Sequence, residues 1–279
     1  MNNLLLIDGH SIMNRAFYGI PMLTNHEGIH TNAIYGFINI MLKAMEDEKS
    51  DHIAVAFDLK APTFRHKMYE MYKGTRKPMP AELHEQVPVI KEILASMNIP
   101  VITLEGYEAD DILGTVGKKA QSLGYNVVIL SGDRDLLQLA DEHIKIRLPK
   151  TIKGRTEIEN YYPEDVMEKY MATPSEFIDL KALMGDSSDN IPGVPGIGEK
   201  TAMSIISKYH SIENAYEHVE ELTPAKAKNS LRENYDLAKL SKVLATIETD
   251  APVEFNIEDS AIAVSYTHLR AHETTLHLV

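Results

Sequence analysis

The sequence predicts an α/β fold in which a central, mostly parallel sheet is flanked by helices and followed by a subdomain of short helices. Three observations carry this. Short aliphatic, β-branched runs alternate with helical stretches as far as residue 148, the pattern of parallel strands joined by crossover helices. After about residue 162 the strand signal fades and short helical segments take over. Acidic residues also fall where apolar runs stop, and ligands of open α/β sheets sit beyond the carboxyl ends of the strands.

Each element has its own signal. Residues 3–8 read as a strand, Leu4-Leu5-Leu6-Ile7 closing on Asp8. Residues 31–47 read as a helix, with Ile34, Phe37, Ile38, Met41, Leu42 and Met45 at helical spacing. Residues 52–58 form a second strand, Ile53 to Phe57 closing on Asp58. Residues 61–80 are basic, aromatic and bounded by Pro62, Pro78 and Pro80, which predicts a long, mobile insertion rather than core. Residues 81–97 read as a helix with Leu83, Val87, Ile90, Ile93, Leu94 and Met97 on one face. A strand follows at 99–104, then a helix over 108–123 for which Gly124 suits the C-terminal cap. Residues 125–131 are a strand, 134–140 a short helix and 144–148 another strand. Residues 163–171, 174–184, 199–209, 211–220, 224–233 and 235–246 read as short helices, many with Pro, Ser or Thr near the first turn. No internal repeat or low-complexity tract interrupts them.

Composition narrows the class. A chain of 279 residues can bury a full core. Cysteine is absent, so disulfides and thiolate metal sites are excluded. No apolar run approaches the roughly 18 residues that span a bilayer, and the N-terminus lacks a signal peptide's basic flank and apolar stretch, so a cytoplasmic protein is expected. The net charge of −13 argues against a nucleic-acid partner only until its distribution is read. Between Lys60 and Lys77, six cations (Lys60, Arg65, Lys67, Lys73, Arg76 and Lys77) stand against Glu70 alone. Residues 264–279 fit no element. His268 and His272 have metal-ligand spacing on a helix, but a loose terminus is the plainer reading. The run from Ser265 to Thr274 resembles translated sequencing-adapter read-through, and this end is left out of the fold prediction.

Three motifs carry chemistry. The first is the set of acids Asp8, Asp58, Glu108, Asp110, Asp111, Asp133, Asp135, Asp186 and Asp189. The clusters at Glu108, Asp133 and Asp186 have competing roles as helix or loop caps, whereas Asp8 and Asp58 at strand ends are harder to explain so. So many carboxylates at one sheet end repel one another unless a polyvalent cation sits among them, and hard divalent cations take such oxygen ligands. Glu108 and Asp111 share a helix face while Asp110 points elsewhere, so this cluster can serve two neighbouring ions. The second motif is Gly193-Val194-Pro195-Gly196-Ile197-Gly198-Glu199-Lys200-Thr201. Glu199 interrupts the Gly-Lys-Thr contiguity of a nucleotide-binding P-loop. The glycines suit a helix–hairpin–helix whose amides and following helix start bind phosphate, with a plain glycine-rich turn as the alternative. Such contacts grip a duplex without reading its sequence. The third is the basic segment, whose interleaved Phe64, Tyr69 and Tyr72 suit stacking on single-stranded bases, against the plainer reading of a solvated helix face.

Together the motifs resemble the 5′-nuclease (5′-3′ exonuclease) domains of bacterial DNA polymerase I, within the flap endonuclease family. The resemblance runs from Leu4 to about Ile257. It rests on Ile7-Asp8-Gly9-His10, Phe57-Asp58, Tyr72-Lys73-Gly74-Thr75-Arg76, Gly106-Tyr107-Glu108-Ala109-Asp110-Asp111, Gly132-Asp133-x-Asp135, Gly185-Asp186-Ser187-Ser188-Asp189-Asn190 and the hairpin. Every acidic position of the family pattern is filled. The resemblance implies a PIN-like, resolvase-like catalytic domain over 1–162 with a helical arch at about 61–80, a helix–hairpin–helix subdomain over 163–257 and a tail over 258–279. It places one metal near Asp8, Asp58, Glu108 and Asp110, and a second near Asp110, Asp133, Asp135, Asp186 and Asp189. Asp111 would act directly or through metal-bound water. Lys73 and Arg76 would hold the scissile phosphate, and Tyr72 would stack on a terminal base. Arg65 and Lys77 would add contacts to DNA. Gly193, Gly196, Ile197, Gly198, Lys200 and Thr201 would hold the downstream duplex, with a K⁺ ion at the hairpin.

The expected function is thus two-metal hydrolysis of phosphodiesters in flapped or nicked DNA and RNA primers, with Mg²⁺ as the ion and Mn²⁺ as a substitute. A monomer is expected, and His10 is read as structural. The resemblance implies a polymerase domain in the parent chain, because polymerase I chains continue into proofreading-like and polymerase domains. The rivals are a ribonuclease of the same acidic-crevice architecture and a DNA-junction-binding module without catalysis.

Overall fold

The computed structural model describes residues 2–152 and 155–262. The reading of His268 and His272, and of the end as read-through, lies outside them. One six-stranded sheet has the order β3-β2-β1-β4-β5-β6, with β1 Asn3–Asp8, β2 His52–Ala56, β3 Val101–Ile102, β4 Asn126–Leu130, β5 Ile144–Ile152 and β6 Arg155–Tyr161. All neighbours are parallel except β5 and β6. The chain builds outward from β1 to β3, then returns to the other side of β1 for β4. The β1–β4 boundary is therefore a topological switch point, and a crevice opens there beyond the strand ends.

Alternation along the strands sorts the core onto two faces. Leu5, Ile7, Ile53, Val55, Val128 and Leu130 pack with Phe17, Phe37, Met41, Ile90 and Leu94. Those last five come from α1 Gly9–Gly19, α2 Asn32–Glu48 and α5 Gln86–Ser96. Leu4, Leu6, Ala54, Val127 and Ile129 face the other way, onto α6 Ala109–Ser122. The same cluster continues through Leu136 and Leu137 into Val166, Phe177, Leu180 and Leu183 of the helical half.

The sequence reading needs three corrections here. Helix α1 went unread, because Asp8 was taken only as a strand end. Its carboxylate also caps α1, accepting from the Ser11 amide at 3.0 Å, and Ile12, Met13, Ala16 and Phe17 form the buried face. The helix expected over 81–97 is divided at Glu85 into α4 Ala81–His84 and α5; Pro88 has no N–H to return to the His84 carbonyl. The short helix expected after Asp133 is present as a 3₁₀ helix, Arg134–Leu139. Strand β5 runs on past 148 into a hairpin with β6, whose alternating charges hid it.

Beyond β6 lie α7 Pro163–Tyr170, α8 Pro174–Met184, α9 Glu199–Tyr209, α10 Ile212–Glu217, α11 Ala225–Glu233 and α12 Tyr235–Ala245. Within 61–80 the only regular element is α3, Phe64–Met68. Among the described residues no helix is long and apolar enough to cross a membrane.

Candidate active site

Asp8 ends β1 at the switch point. Its Oδ2 accepts from Ser131 Oγ at 2.7 Å, and that hydroxyl in turn accepts from the Asp133 amide at 3.0 Å. Ser131 is thus a fully buried clamp between β1 and the loop after β4. Burial, reinforced by the charges of Asp58 and Asp133, pushes the Asp8 carboxyl up to about 6 against the hydrogen bonds from Ser11 and Ser131. Asp58, just past β2, has the opposite fate. Burial would raise it, but hydrogen bonds from His10 and the Ala109 amide, with the charges of His10 and Lys73, bring it down to about 2. His10 Nδ1 lies 3.4 Å from Asp58 Oδ2 and its ring stands edge-on to Phe57.

The start of α6 carries the Glu-Ala-Asp-Asp motif. Asp110 is pushed well above the carboxylate range, first by burial and then by the charges of Asp133 and Asp8. Asp111 departs from expectation. It is 0 % exposed. Arg65 grips its two oxygens at 2.8 Å each, while the Glu108 and Glu248 amides donate to it at 3.0 and 2.9 Å. With both oxygens so engaged, Asp111 holds the helix start and has no oxygen facing the crevice in this conformation. Its reading as a metal ligand or catalytic group would require the Arg65 pairing to open. Arg65 itself is buried at 2 % exposure and also donates to the Leu244 and Thr246 carbonyls at 3.0 and 2.7 Å. It is an internal tie, not a surface contact for DNA.

The third group lies along the 3₁₀ helix and α8. Burial and the charge of Asp133 raise Asp135 to about 7, against Lys181. The Lys181 ammonium lies 2.6 Å from Asp135 Oδ1 and also contacts Asp186 Oδ2. Burial would raise Asp186, but Lys181 and Ser188 bring it down to about 2. The sequence reading missed Lys181 and Ser131. Lys181 had a signal: a lone cation between Leu180 and Ala182 in an apolar helical run must be paired when buried.

Residues 69–76 fold onto this site instead of standing clear. Lys73 Nζ is 2.7 Å from Glu108 and 3.6 Å from Asp189, and Arg76 pairs with Asp189. The Tyr72 hydroxyl lies 3.0 Å from Glu108 and 3.1 Å from Asp189. At 3 % exposure its ring cannot stack on a base in this conformation, which corrects that expectation. Lys77 is exposed. The acids stand along a crevice with basic side chains among them. Among the described residues no three His, Asp or Glu side chains close on a single point as ligands of one ion. A cavity of about 450 Å³ runs from Asp133 and Asp135 past Lys181 to Glu199 at the start of α9.

That end of the cavity is the hairpin. Gly185 and Gly193 pass so closely that a Cβ on Gly193 would lie 2.4 Å from the Gly185 nitrogen, and both have positive φ (71° and 61°). Of the residues expected to hold a duplex, Gly196, Gly198 and Lys200 are exposed and Thr201 half-buried. Gly193 and Ile197 are interior, their amides donated to Ser241 Oγ and the Val194 carbonyl, so their reading as DNA contacts is corrected.

A switch-point crevice lined with carboxylates, joined to a helical half that presents a glycine hairpin, defines an acidic-site α/β protein of the resolvase-like kind. Two family models cover it, the 5′-3′ exonuclease N-terminal resolvase-like domain over residues 3–171 and the 5′-3′ exonuclease C-terminal SAM fold over 172–267. The chain belongs to the 5′-3′ exonuclease family. It is 49% identical over 258 residues to DNA polymerase I of Bacillus caldotenax and 50% identical over 254 residues to that of Bacillus subtilis. These matches cover 92% and 91% of the chain but 29% of each relative, so it spans under a third of their length. Among solved structures, a T5 5′-exonuclease with divalent zinc bound superposes with a TM-score of 0.72 at 24% identity, covering 89% of this chain and 90% of that one. The catalytic core of Rad2 in complex with DNA substrate gives 0.59 at 16% identity, over 98% and 87%. At these identities the likeness is one of fold.

Proposed function

We propose that this chain hydrolyses phosphodiester bonds near the 5′ ends of flapped or nicked DNA, and of RNA primers on DNA, using two divalent cations. The observation that carries the reading is the crevice at the β1–β4 switch point, where Asp8, Asp110 and Asp135 are all pushed above the usual carboxylate range. Buried like charges of this kind call for a cation, and an all-oxygen donor set suits Mg²⁺ or Mn²⁺. Asp8, Asp58, Glu108 and Asp110 would hold one ion, and Asp110, Asp133, Asp135, Asp186 and Asp189 the other. When bound, such ions supply charge to the phosphate and acidify an attacking water.

The chain's own residues supply the rest. Lys73 and Arg76, now paired with Glu108 and Asp189, would turn to the scissile phosphate and offset the charge that develops on it. Gly196, Gly198 and Lys200 lie exposed where α9 begins, and would grip the duplex backbone through the helix N-terminus, with a K⁺ ion as an added bridge. The product end would keep its 5′ phosphate. The relatives are DNA polymerases I; in such a chain this nuclease would clear the strand ahead of synthesis.

Cleavage of a 5′-flapped DNA duplex and of plain single-stranded RNA, each with Mg²⁺ and with EDTA, tests the reading. Mg²⁺-dependent cutting of the flap is expected. Preferential cutting of the RNA, or cutting that survives EDTA, would sink it.

A further inference from the structure

Lys181 lines the cavity as a buried cation whose charge the proposed reaction leaves unused. It sits on the buried face of α8, its side chain 7 % exposed, and reaches two acids from different elements. Asp135 belongs to the 3₁₀ helix after β4, and its Oδ1 is 2.6 Å from the Lys181 ammonium. Asp186 opens the loop after α8, and its Oδ2 contacts the same nitrogen. The remaining Asp186 oxygen is taken by the amides of Ser188 and Asp189 at 2.7 and 3.3 Å. The loop that carries Asp189 is therefore oriented by an acid that Lys181 holds. A buried ammonium shared by two carboxylates costs much desolvation and is kept only where the geometry is satisfied on both sides. Here the ammonium stands where a cation between those acids would stand and offsets their charge.

We infer that Lys181 is a positioning residue that holds Asp135 and Asp186 together before a divalent ion arrives, and whose charge then weakens the grip on the ion sharing those two carboxylates. The inference rests on the metal reading above. Its physical basis is coupling between two cations that draw on the same ligands, in which each lowers the other's affinity. The ion nearest Asp135 and Asp186 would be held loosely as a result.

Calorimetric titration of the DNA-free protein with Mn²⁺, for wild type, Lys181→Met and Lys181→Arg, tests this without reading activity. Lys181→Met keeps the volume and removes the charge. It is expected to bind one Mn²⁺ more tightly, on the order of tenfold, and to melt at a lower temperature without metal because the tie between Asp135 and Asp186 is lost. Lys181→Arg should stay near wild type on both counts. If the wild type binds Mn²⁺ and Lys181→Met binds it no more tightly, the inference is overturned and the metal reading stands. A wild type that takes up no Mn²⁺ overturns both. Should Lys181→Met fail to fold, the ammonium ¹⁵N–¹H signal present in wild type and missing in Lys181→Arg serves instead. A shift of that signal on saturation with Mg²⁺ supports the inference, and an unmoved signal overturns it.

Discussion

Asp110 concentrates the tension of the site in one side chain. Burial and the charges of Asp133 and Asp8 all oppose its ionisation, and only Lys73 favours it. A carboxyl raised in the folded state destabilises the fold at any pH where it is ionised in the unfolded chain. Asp110→Asn is therefore expected to stabilise the metal-free protein, while abolishing Mg²⁺-dependent cleavage. Melting with EDTA and with Mg²⁺ checks both, and a lower metal-free melting temperature would contradict the repulsion. Lys73 tests a different property. Its ammonium is held 2.7 Å from Glu108, a partner that the proposed reaction would exchange for a phosphate. Lys73→Ala should slow single-turnover cleavage far more than it weakens duplex affinity; the reverse would make Lys73 a docking residue. At this scale the acids were legible because residue type and position at strand ends are enough to suggest them. The roles of Asp111, Arg65 and Tyr72 were not. Which of two adjacent acids on a helix start faces inward, and which cation of a basic run pairs with it, depends on a partner far along the chain. For Arg65 those partners include Asp111, Leu244 and Thr246.

Segment 64–76 behaves as a clasp between elements. Arg65 ties α3 to the start of α6 and to the end of α12. Tyr72, Lys73 and Arg76 tie the following turns to the 186–190 loop, where the Lys73 amide also donates to the Asp189 carbonyl at 2.8 Å. Removing one partner of a buried pair leaves the other charge unmet. Arg65→Ala is expected to cost about 3–5 kcal/mol in urea unfolding, and a loss below about 1 kcal/mol would show that Arg65 is a surface cation after all. The hairpin should act independently of this clasp. Lys200→Ala is expected to weaken duplex binding uniformly across sequences and to reduce the salt slope of log K by about 1; an unchanged slope would remove Lys200 from the interface. Elements with clean apolar periodicity, such as α2 and β1, could be read from sequence with little error. Helix α1 begins directly after the strand's last residue, so its period at Ile12, Met13, Ala16 and Phe17 was hidden by the strand before it, and β6 pairs antiparallel with charges alternating along it, so its period does not stand out.

Across the whole molecule, the sheet and the helical half are parts of one core. Leu6 and Ile129 of the sheet, Leu136 and Leu137 of the 3₁₀ helix, and Phe177, Leu180 and Leu183 of α8 belong to a single buried cluster. The crevice sits above that junction, with Asp8 and Asp133 supplied from one side and Asp186 and Asp189 from the other. Sequence showed the change from alternating strands to helices but not this shared packing, because amphipathic helices look alike whether they bury their faces on each other or on a sheet. The net charge of −13 belongs to the same picture: much of it lies in the crevice acids, whose repulsion the core must hold in check. If the core is one unit, calorimetric unfolding of the metal-free chain should show a single transition with equal van't Hoff and calorimetric enthalpies. A chain ending at residue 162 should then show no cooperative transition, since it would expose the Leu136–Leu137 face that α8 covers. Two resolved transitions, or a cooperatively folded fragment, would mean that each half is stable alone and that the site is assembled only by docking.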